Sequence, residues 1–122
     1  MGFLGVLLSA CQQANEGVDL TAARGCLAQK GYSQVQSPDL ESSLPGFAAP
    51  NLAMQRESLK IEAIVNGDTA RAQRRLADLR GALQGLGVQD GADRVARVGN
   101  AVLVFTPTPS TGERSEAVSC FR

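Results

Sequence analysis

The sequence predicts an α+β fold, with a mostly antiparallel four-stranded sheet and helices packed on one face. Residues 59–65 mostly alternate apolar and polar side chains, a pattern typical of a strand with one buried face. Residues 72–86 repeat leucines at helical spacing, and Gly99-Asn100 lies between two apolar stretches like the turn of a hairpin. The chain has 122 residues, which is the length of one domain.

The first predicted helix begins after Asp19, a residue type that caps helix N-termini. Leu20, Ala23 and Leu27 then recur at helical spacing and should face the core. Gly31 follows a lysine and marks the expected helix end, because glycine readily adopts the left-handed conformation found there.

Residues 32–36 are expected to form a short strand, and residues 37–57 a long connection that contains three of the five prolines. Within this connection, residues 51–55 are expected to form one turn of helix. Its apolar side chains either bind a partner or, as we favour, cover the open face of the sheet; they are Leu44, Phe47, Leu52 and Met54.

The strand at 59–65 is followed by a second helix, for which Asp68 or Thr69 is the expected N-cap. Glycines at positions 85 and 87 predict its end. The apolar stripe of this helix consists of Ala72, Leu76, Leu79, Leu83 and Leu86.

Residues 94–98 and 101–106 are expected to pair as a hairpin, and the continuous apolar run of the second strand indicates a central position in the sheet. Ser110 and Glu113 fit a capping box at the start of a third helix. The apolar side of that helix is expected to hold Ala117, Val118 and Phe121. By the order of its elements alone, the domain resembles a ferredoxin-like fold.

The chain begins with an uncharged apolar run that is too short to span a bilayer, since a spanning helix needs about 20 apolar residues. The length of the run is typical of the hydrophobic region of a signal peptide. It ends in Leu8-Ser9-Ala10-Cys11, which resembles the lipobox of bacterial lipoproteins. The resemblance implies cleavage before Cys11 and a diacylglyceryl group on the Cys11 thiol.

This resemblance divides the chain into a signal peptide at 1–10, a polar tether at 11–18 and a single domain at 19–122. It implies a lipid-anchored protein of the cell envelope, on the outer face of the cytoplasmic membrane or in the periplasm. The expected partners are the membrane and an envelope protein or polymer. No Lys or Arg precedes the apolar run, although a signal peptide usually starts with a basic segment; a start upstream of Met1 would explain the difference.

The remaining cysteines support export. The chain has three cysteines, and a lipid on Cys11 leaves Cys26 and Cys120 as a pair near the two ends of the domain. We expect these two to form a disulfide, which would persist only in an oxidising compartment. The alternative is that both are buried, reduced cysteines that act as small apolar side chains.

The composition argues against most enzyme classes. The chain has no His, the residue best suited to proton transfer near neutral pH and the commonest metal ligand, and we expect no metal and no other cofactor. The sequence also lacks a phosphate-binding glycine loop and a nucleophile elbow. Two carboxylates could still perform acid–base hydrolysis. The candidates, which no particular spacing marks out, are Glu57, Glu62, Asp68, Asp90 and Asp93.

Most of these carboxylates have simpler explanations, since Asp68 is expected to cap a helix and Glu62 to point outward from its strand. Arg71, Arg74 and Arg75 form the most distinctive charged cluster and could contact lipid phosphates or an anionic polymer. The simpler interpretation is a solvated helix face with an Arg74–Asp78 pair one turn apart. The formal net charge of zero argues against nucleic acid as a partner.

The sequence therefore predicts a non-enzymatic envelope lipoprotein that binds another protein or envelope component. An exposed apolar patch near residues 44–54 would support this hypothesis. One alternative is a small envelope hydrolase, which requires a pocket with two carboxylates. Another is a cytosolic domain with a misleading apolar N-terminus, which requires residues 3–8 in the core and Cys26 far from Cys120. The sequence does not indicate an oligomeric state.

Overall fold

The computed structural model describes residues 17–36, 50–88 and 90–122 of the chain. Together these residues form a five-stranded antiparallel sheet with helices on both faces. In chain order the elements are α1 (Leu20–Gln29), β1 (Ser33–Gln34), β2 (Leu52–Arg56), β3 (Leu59–Val65), α2 (Thr69–Gly85), a 3₁₀ helix (Gly91–Arg94), β4 (Val95–Val98), β5 (Ala101–Thr106) and α3 (Thr111–Cys120).

The strands lie in the order β1-β2-β3-β5-β4, and every neighbouring pair is antiparallel. The predicted α+β class and antiparallel sheet are confirmed, but the sheet has five strands and not four. The strand that the sequence analysis missed is β2, which occupies the place of the predicted helical turn. Leu52 and Met54 pair with Ala63 and Ile61 and are buried together with Ala53 between them, so this segment is part of the sheet and not a helical turn.

The prediction that all helices pack on one face of the sheet is wrong. Successive side chains of a strand point to opposite faces, and β3 and β5 bury apolar side chains on both. Ile61 and Phe105 face α1 and α3, whereas Ile64 and Val104 face α2. The ferredoxin-like arrangement is not confirmed.

The larger core lies between the sheet, α1 and α3. Ala23 and Leu27 of α1 and Ala117 of α3 are fully buried there, as the helical spacing predicts. Phe121, the residue that follows α3, closes this core. The two helices lie side by side, which brings the two ends of the domain together.

The smaller core lies between the other face of the sheet and α2. Ala72, Leu79 and Leu83 are buried in it, and Leu76 is half-buried against it. The predicted stripe also includes Leu86, but the side chain of this residue is 62% exposed. The reason is that α2 ends at Gly85, so the residue after it no longer follows the helical repeat.

The helix caps predicted from the sequence are confirmed. The Asp19 carboxylate accepts a hydrogen bond from Ala22 N, and the Asp68 carboxylate accepts one from Arg71 N. Ser110 and Glu113 form the capping box of α3, with hydrogen bonds in both directions. These local interactions fix the first turn of each helix independently of the core.

Arg56, at the end of β2, connects three elements. Its guanidinium donates to the Lys30 carbonyl at 2.8 Å and lies 4.4 Å from the ring centroid of Tyr32. It also lies 3.3 Å from the Glu116 carboxylate of α3. Because Arg56 belongs to β2 and binds both the end of α1 and α3, it holds these three elements together.

The Tyr32 hydroxyl is buried in this region without a hydrogen-bond partner among the described residues. We expect a Tyr32→Phe variant to have an unchanged free energy of unfolding, or one higher by up to about 1 kcal/mol, because an unpaired buried hydroxyl only costs desolvation. Urea denaturation at neutral pH measures this, and a loss of about 2 kcal/mol would show that the hydroxyl has a partner.

The Tyr32→Phe variant should also change how the stability depends on pH in the alkaline range. Burial raises the pKa of Tyr32 above its ordinary value, against the opposing effect of the Arg56 guanidinium. Above about pH 10 the unfolded chain therefore loses the phenol proton before the folded chain does, and the stability of the wild type falls as the pH rises toward the folded pKa. The Tyr32→Phe variant should lack this part of the alkaline loss in the same denaturation experiment.

Candidate functional site

Two asparagines meet at one end of the sheet, where the β3–α2 turn lies beside the β4–β5 turn. Asn100 Nδ2 donates to the Asn66 carbonyl at 2.8 Å, and Asn66 Nδ2 donates to the Asn100 carbonyl at 3.1 Å. The Asn66 amide N–H also donates to the Asn100 carbonyl, at 2.8 Å. We call this part of the molecule the asparagine end.

The first described residues of the chain are fixed to the same place. The Val18 N–H donates to Asn100 Oδ1 at 2.9 Å. Asn100 is only 9% exposed, and its side chain binds both the start of the described chain and the turn after β3. The N-terminal side of the domain therefore begins at the asparagine end.

A groove of about 610 Å³ opens beside Asn66 and contains the predicted arginine cluster. We call it the arginine groove; it is lined by Val65, Asn66, Gly67, Arg71, Arg74, Arg75 and Asp78. Arg75 Nε donates to Asn66 Oδ1 at 2.9 Å, which fixes this side chain to the asparagine pair. The structure thus brings all three predicted arginines together at one site.

The lining of the arginine groove holds three guanidinium groups and one acidic side chain, Asp78. Arg71 Nε lies 3.9 Å from Asp68 Oδ2, and both side chains are more than half exposed, so the pair is weak. The expected Arg74–Asp78 ion pair does not form within the described part of the chain, although both residues line the groove. The positive charge of Arg74 is therefore not offset by a direct partner there.

A second groove, of about 580 Å³, lies where the described chain begins. Gly17, Val18 and Asp19 form one wall, and Arg97 and the end of α3 form the other. Arg97 Nη1 donates to the Gly99 carbonyl at 2.9 Å, which holds the side chain against the β4–β5 turn. This groove adjoins the asparagine end through the hydrogen bond from Val18.

The disulfide pair predicted from the sequence lies between α1 and α3. The sulfur atoms of Cys26 and Cys120 are 2.04 Å apart, and the two Cα atoms are 5.5 Å apart. The pair is separated by 94 positions in the sequence, so the bond closes a loop of most of the described domain. Cys120 also lines the groove beside Val18.

The carboxylates considered for hydrolysis are dispersed. Among these candidates, Asp93 lines one of the grooves of the described surface. That groove and the two described above are each lined by one acidic side chain, which is Asp93, Asp19 or Asp78. Glu62 does not point outward as expected: it is 2% exposed and sits opposite Val104 on the face of the sheet that α2 covers in part. The prediction failed because β3 is buried on both faces.

The apolar segment considered as a docking loop divides into two parts. Leu52 and Met54 belong to β2 and are buried in the larger core, in agreement with the favoured interpretation. Leu44 and Phe47 lie outside the described residues, as do Cys11 and the rest of the lipobox-like segment. Among the large apolar side chains that are described, Leu86 is the exposed one.

Within residues 17–36, 50–88 and 90–122, no group of three or more acidic or cysteine side chains could hold a metal ion. None of the helices in these ranges is long and apolar enough to cross a membrane. Comparison with protein-family models, with curated proteins and with solved structures finds no match for this chain.

Proposed function

We propose that this chain is a lipid-anchored envelope protein whose domain serves as a non-enzymatic binding module at the membrane surface. The lipobox-like segment that ends at Cys11 supports the anchor, and one structural observation carries the orientation: the hydrogen bond from the Val18 N–H to Asn100 Oδ1 fixes the start of the described domain at the asparagine end. A lipid on Cys11 would then hold this end, and not another, toward the bilayer.

The length of the intervening segment makes the orientation meaningful. Six residue steps separate Cys11 from Gly17, and a fully extended chain of that length reaches about 20 Å. The asparagine end would therefore stay close to the lipid headgroups for as long as the anchor is in the membrane. A short tether that is attached at one end favours a module that works against the membrane or against a neighbour in it.

The cysteine pair supports a location outside the cytoplasm. Cys26 and Cys120 lie at bonding distance, whereas the cytosolic alternative required them to be far apart. Disulfides persist in oxidising compartments such as the bacterial periplasm. The geometry of the pair is therefore the one expected of an exported domain.

The hydrolase alternative receives no such support. A general acid and a general base, or an acid and a nucleophile, must face one substrate from opposite sides of the reacting bond. In the three grooves described above, each lined by one carboxylate, that arrangement is missing. A binding role requires only the stable scaffold and the two grooves at the asparagine end.

The anchor is tested by a Cys11→Ser variant produced in a bacterial host that exports and lipidates proteins. We expect the wild type in the membrane fraction, resistant to a salt wash, because one acyl-modified terminus with two or more chains anchors stably. The Cys11→Ser variant should lose the lipid and, once washed with salt, should be recovered at a lower level with the membrane.

The matched control is Ser9→Ala, which keeps a small residue in the lipobox-like segment and should behave like the wild type. Incorporation of a labelled fatty acid gives a second readout, since the wild type and Ser9→Ala should be labelled and Cys11→Ser should not. Equal fractionation of all three proteins, without labelling of any, would refute the anchor.

A further inference from the structure

We infer that the arginine groove is a contact site for the phosphate headgroups of anionic phospholipids. The inference rests on the proposed function, because the anchor at Cys11 is what would bring the groove within reach of the bilayer. It goes beyond the anchor in naming the surface that meets the membrane and the lipid chemistry that this surface selects.

The side chains of the groove suit phosphate groups. Arg71 and Arg74 present exposed guanidinium groups, and such groups bind phosphate oxygens with charge-assisted and often paired hydrogen bonds. Gly67 leaves room for the Arg71 guanidinium, because a Cβ at position 67 would lie 2.9 Å from Arg71 Nη1. The single carboxylate that lines the groove, Asp78, leaves an excess of positive charge.

Other arginines of the domain bind backbone carbonyls and so stabilise the fold. The guanidinium groups of four of them donate to backbone carbonyls, at 2.8 or 2.9 Å; these are Arg56, Arg94, Arg97 and Arg114. Arg71 and Arg74 are exposed and donate to no backbone carbonyl within the described ranges. Their head groups are therefore available to a ligand in solution.

Hydrogen bonds connect the groove to the start of the described domain. A continuous series of hydrogen bonds runs from Val18 through Asn100 and Asn66 to Arg75, with donor–acceptor distances between 2.8 and 2.9 Å at each step. The groove is thus rigidly placed at the end of the domain where the tether would attach. The same side chain that completes this series, Arg75, is also a wall of the groove.

The test uses the full chain with Cys11→Ser, so that its outcome does not depend on lipidation. Binding is measured to phosphatidylcholine vesicles with and without about 30% phosphatidylglycerol, and the ratio of the two partition coefficients is compared between variants. Because every variant carries the same apolar N-terminal run, its contribution to binding cancels in this comparison. We expect the ratio to be well above one.

The groove variant is Arg71→Gln/Arg74→Gln, which keeps Arg75 and its hydrogen bond to Asn66. Each arginine at an anionic surface strengthens binding by about fivefold, so the ratio should fall by about 25-fold. The matched control is Arg24→Gln/Arg80→Gln, which removes two exposed arginines outside the groove. That control should change the ratio by less than about threefold.

Three outcomes would overturn the inference. A ratio near one for the parent protein would exclude recognition of anionic lipid, and an equal loss in both double variants would show that overall charge and not the groove determines binding. Binding of inorganic phosphate that Arg71→Gln/Arg74→Gln abolishes, together with a vesicle ratio that the same variant leaves unchanged, would assign the groove to a free phosphate ligand. None of these outcomes bears on the anchor, which the labelling of Cys11 tests separately.

Discussion

Replacement of Cys26 and Cys120 together by alanine is expected to lower the free energy of unfolding by about 4–5 kcal/mol. The bond joins residues 94 positions apart, so its loss releases a large part of the unfolded chain from a closed loop. A chain-entropy treatment assigns an effect of this size to a loop of about 100 residues. For a domain this small, such a loss is comparable to a large part of the total stability.

Urea denaturation of the oxidised wild type and of the double variant measures this loss. The control is the wild type in reducing agent, which removes the cross-link without removing the sulfur atoms from the core. Both should be destabilised to a similar extent, because the expected effect comes from the cross-link and not from packing. A difference of less than about 1 kcal/mol between the oxidised and reduced wild type would contradict the account.

A Leu79→Ala variant is expected to lose about 3–5 kcal/mol of unfolding free energy. Leu79 is fully buried between α2 and the sheet, and its truncation leaves a cavity that the β3 and β5 side chains cannot easily fill. The variant tests which side of α2 is buried against the sheet, because Leu79 lies on the buried side of the helix and Leu86 does not.

The matched control is Leu86→Ala, just beyond the end of the same helix. Leu86 is 62% exposed, so its truncation should change the stability by less than about 0.5 kcal/mol. Both variants are measured by urea denaturation under the same conditions. Similar effects of the two substitutions would mean that the buried side of α2 is assigned wrongly.

The parts of the fold that the sequence predicted well depend on local interactions. Asp19, Asp68 and Ser110 were identified as caps because a cap needs only a side-chain oxygen within three residues of an exposed N–H. The Gly99-Asn100 turn was identified for the same reason, since a two-residue hairpin has few compatible residue types. Such signals can be read from a single short segment.

The parts that failed depend on what each segment meets in space. Residues 52–56 form a strand only because β3 pairs with them, and their alternation is too short to indicate this alone. The charged Lys60 and Glu62 made β3 look like an alternating strand, and Ile64 alone indicated that its second face is covered as well. The choice between one-sided and two-sided packing belongs to the tertiary structure.

The candidate site, too, was predicted where it depends on local sequence and missed where it depends on tertiary contacts. The sequence identified Arg71, Arg74 and Arg75 from their spacing on one helix, and the structure brings them into one groove. It did not identify Asn66 and Asn100, because each reads as an ordinary turn residue and they are 34 positions apart. Their pairing, and the attachment of Val18 to it, arise only when the two turns meet at one end of the sheet.

The most direct test of the proposed function is the intact mass of the protein extracted from the membranes of its own host without reducing agent. The account predicts a chain that begins at Cys11, carries a diacylglyceryl adduct and lacks the two hydrogens of a Cys26–Cys120 disulfide. A soluble, unprocessed chain with three free thiols would contradict it, and the domain would then have to be understood as a cytosolic protein whose apolar N-terminal run belongs to the fold.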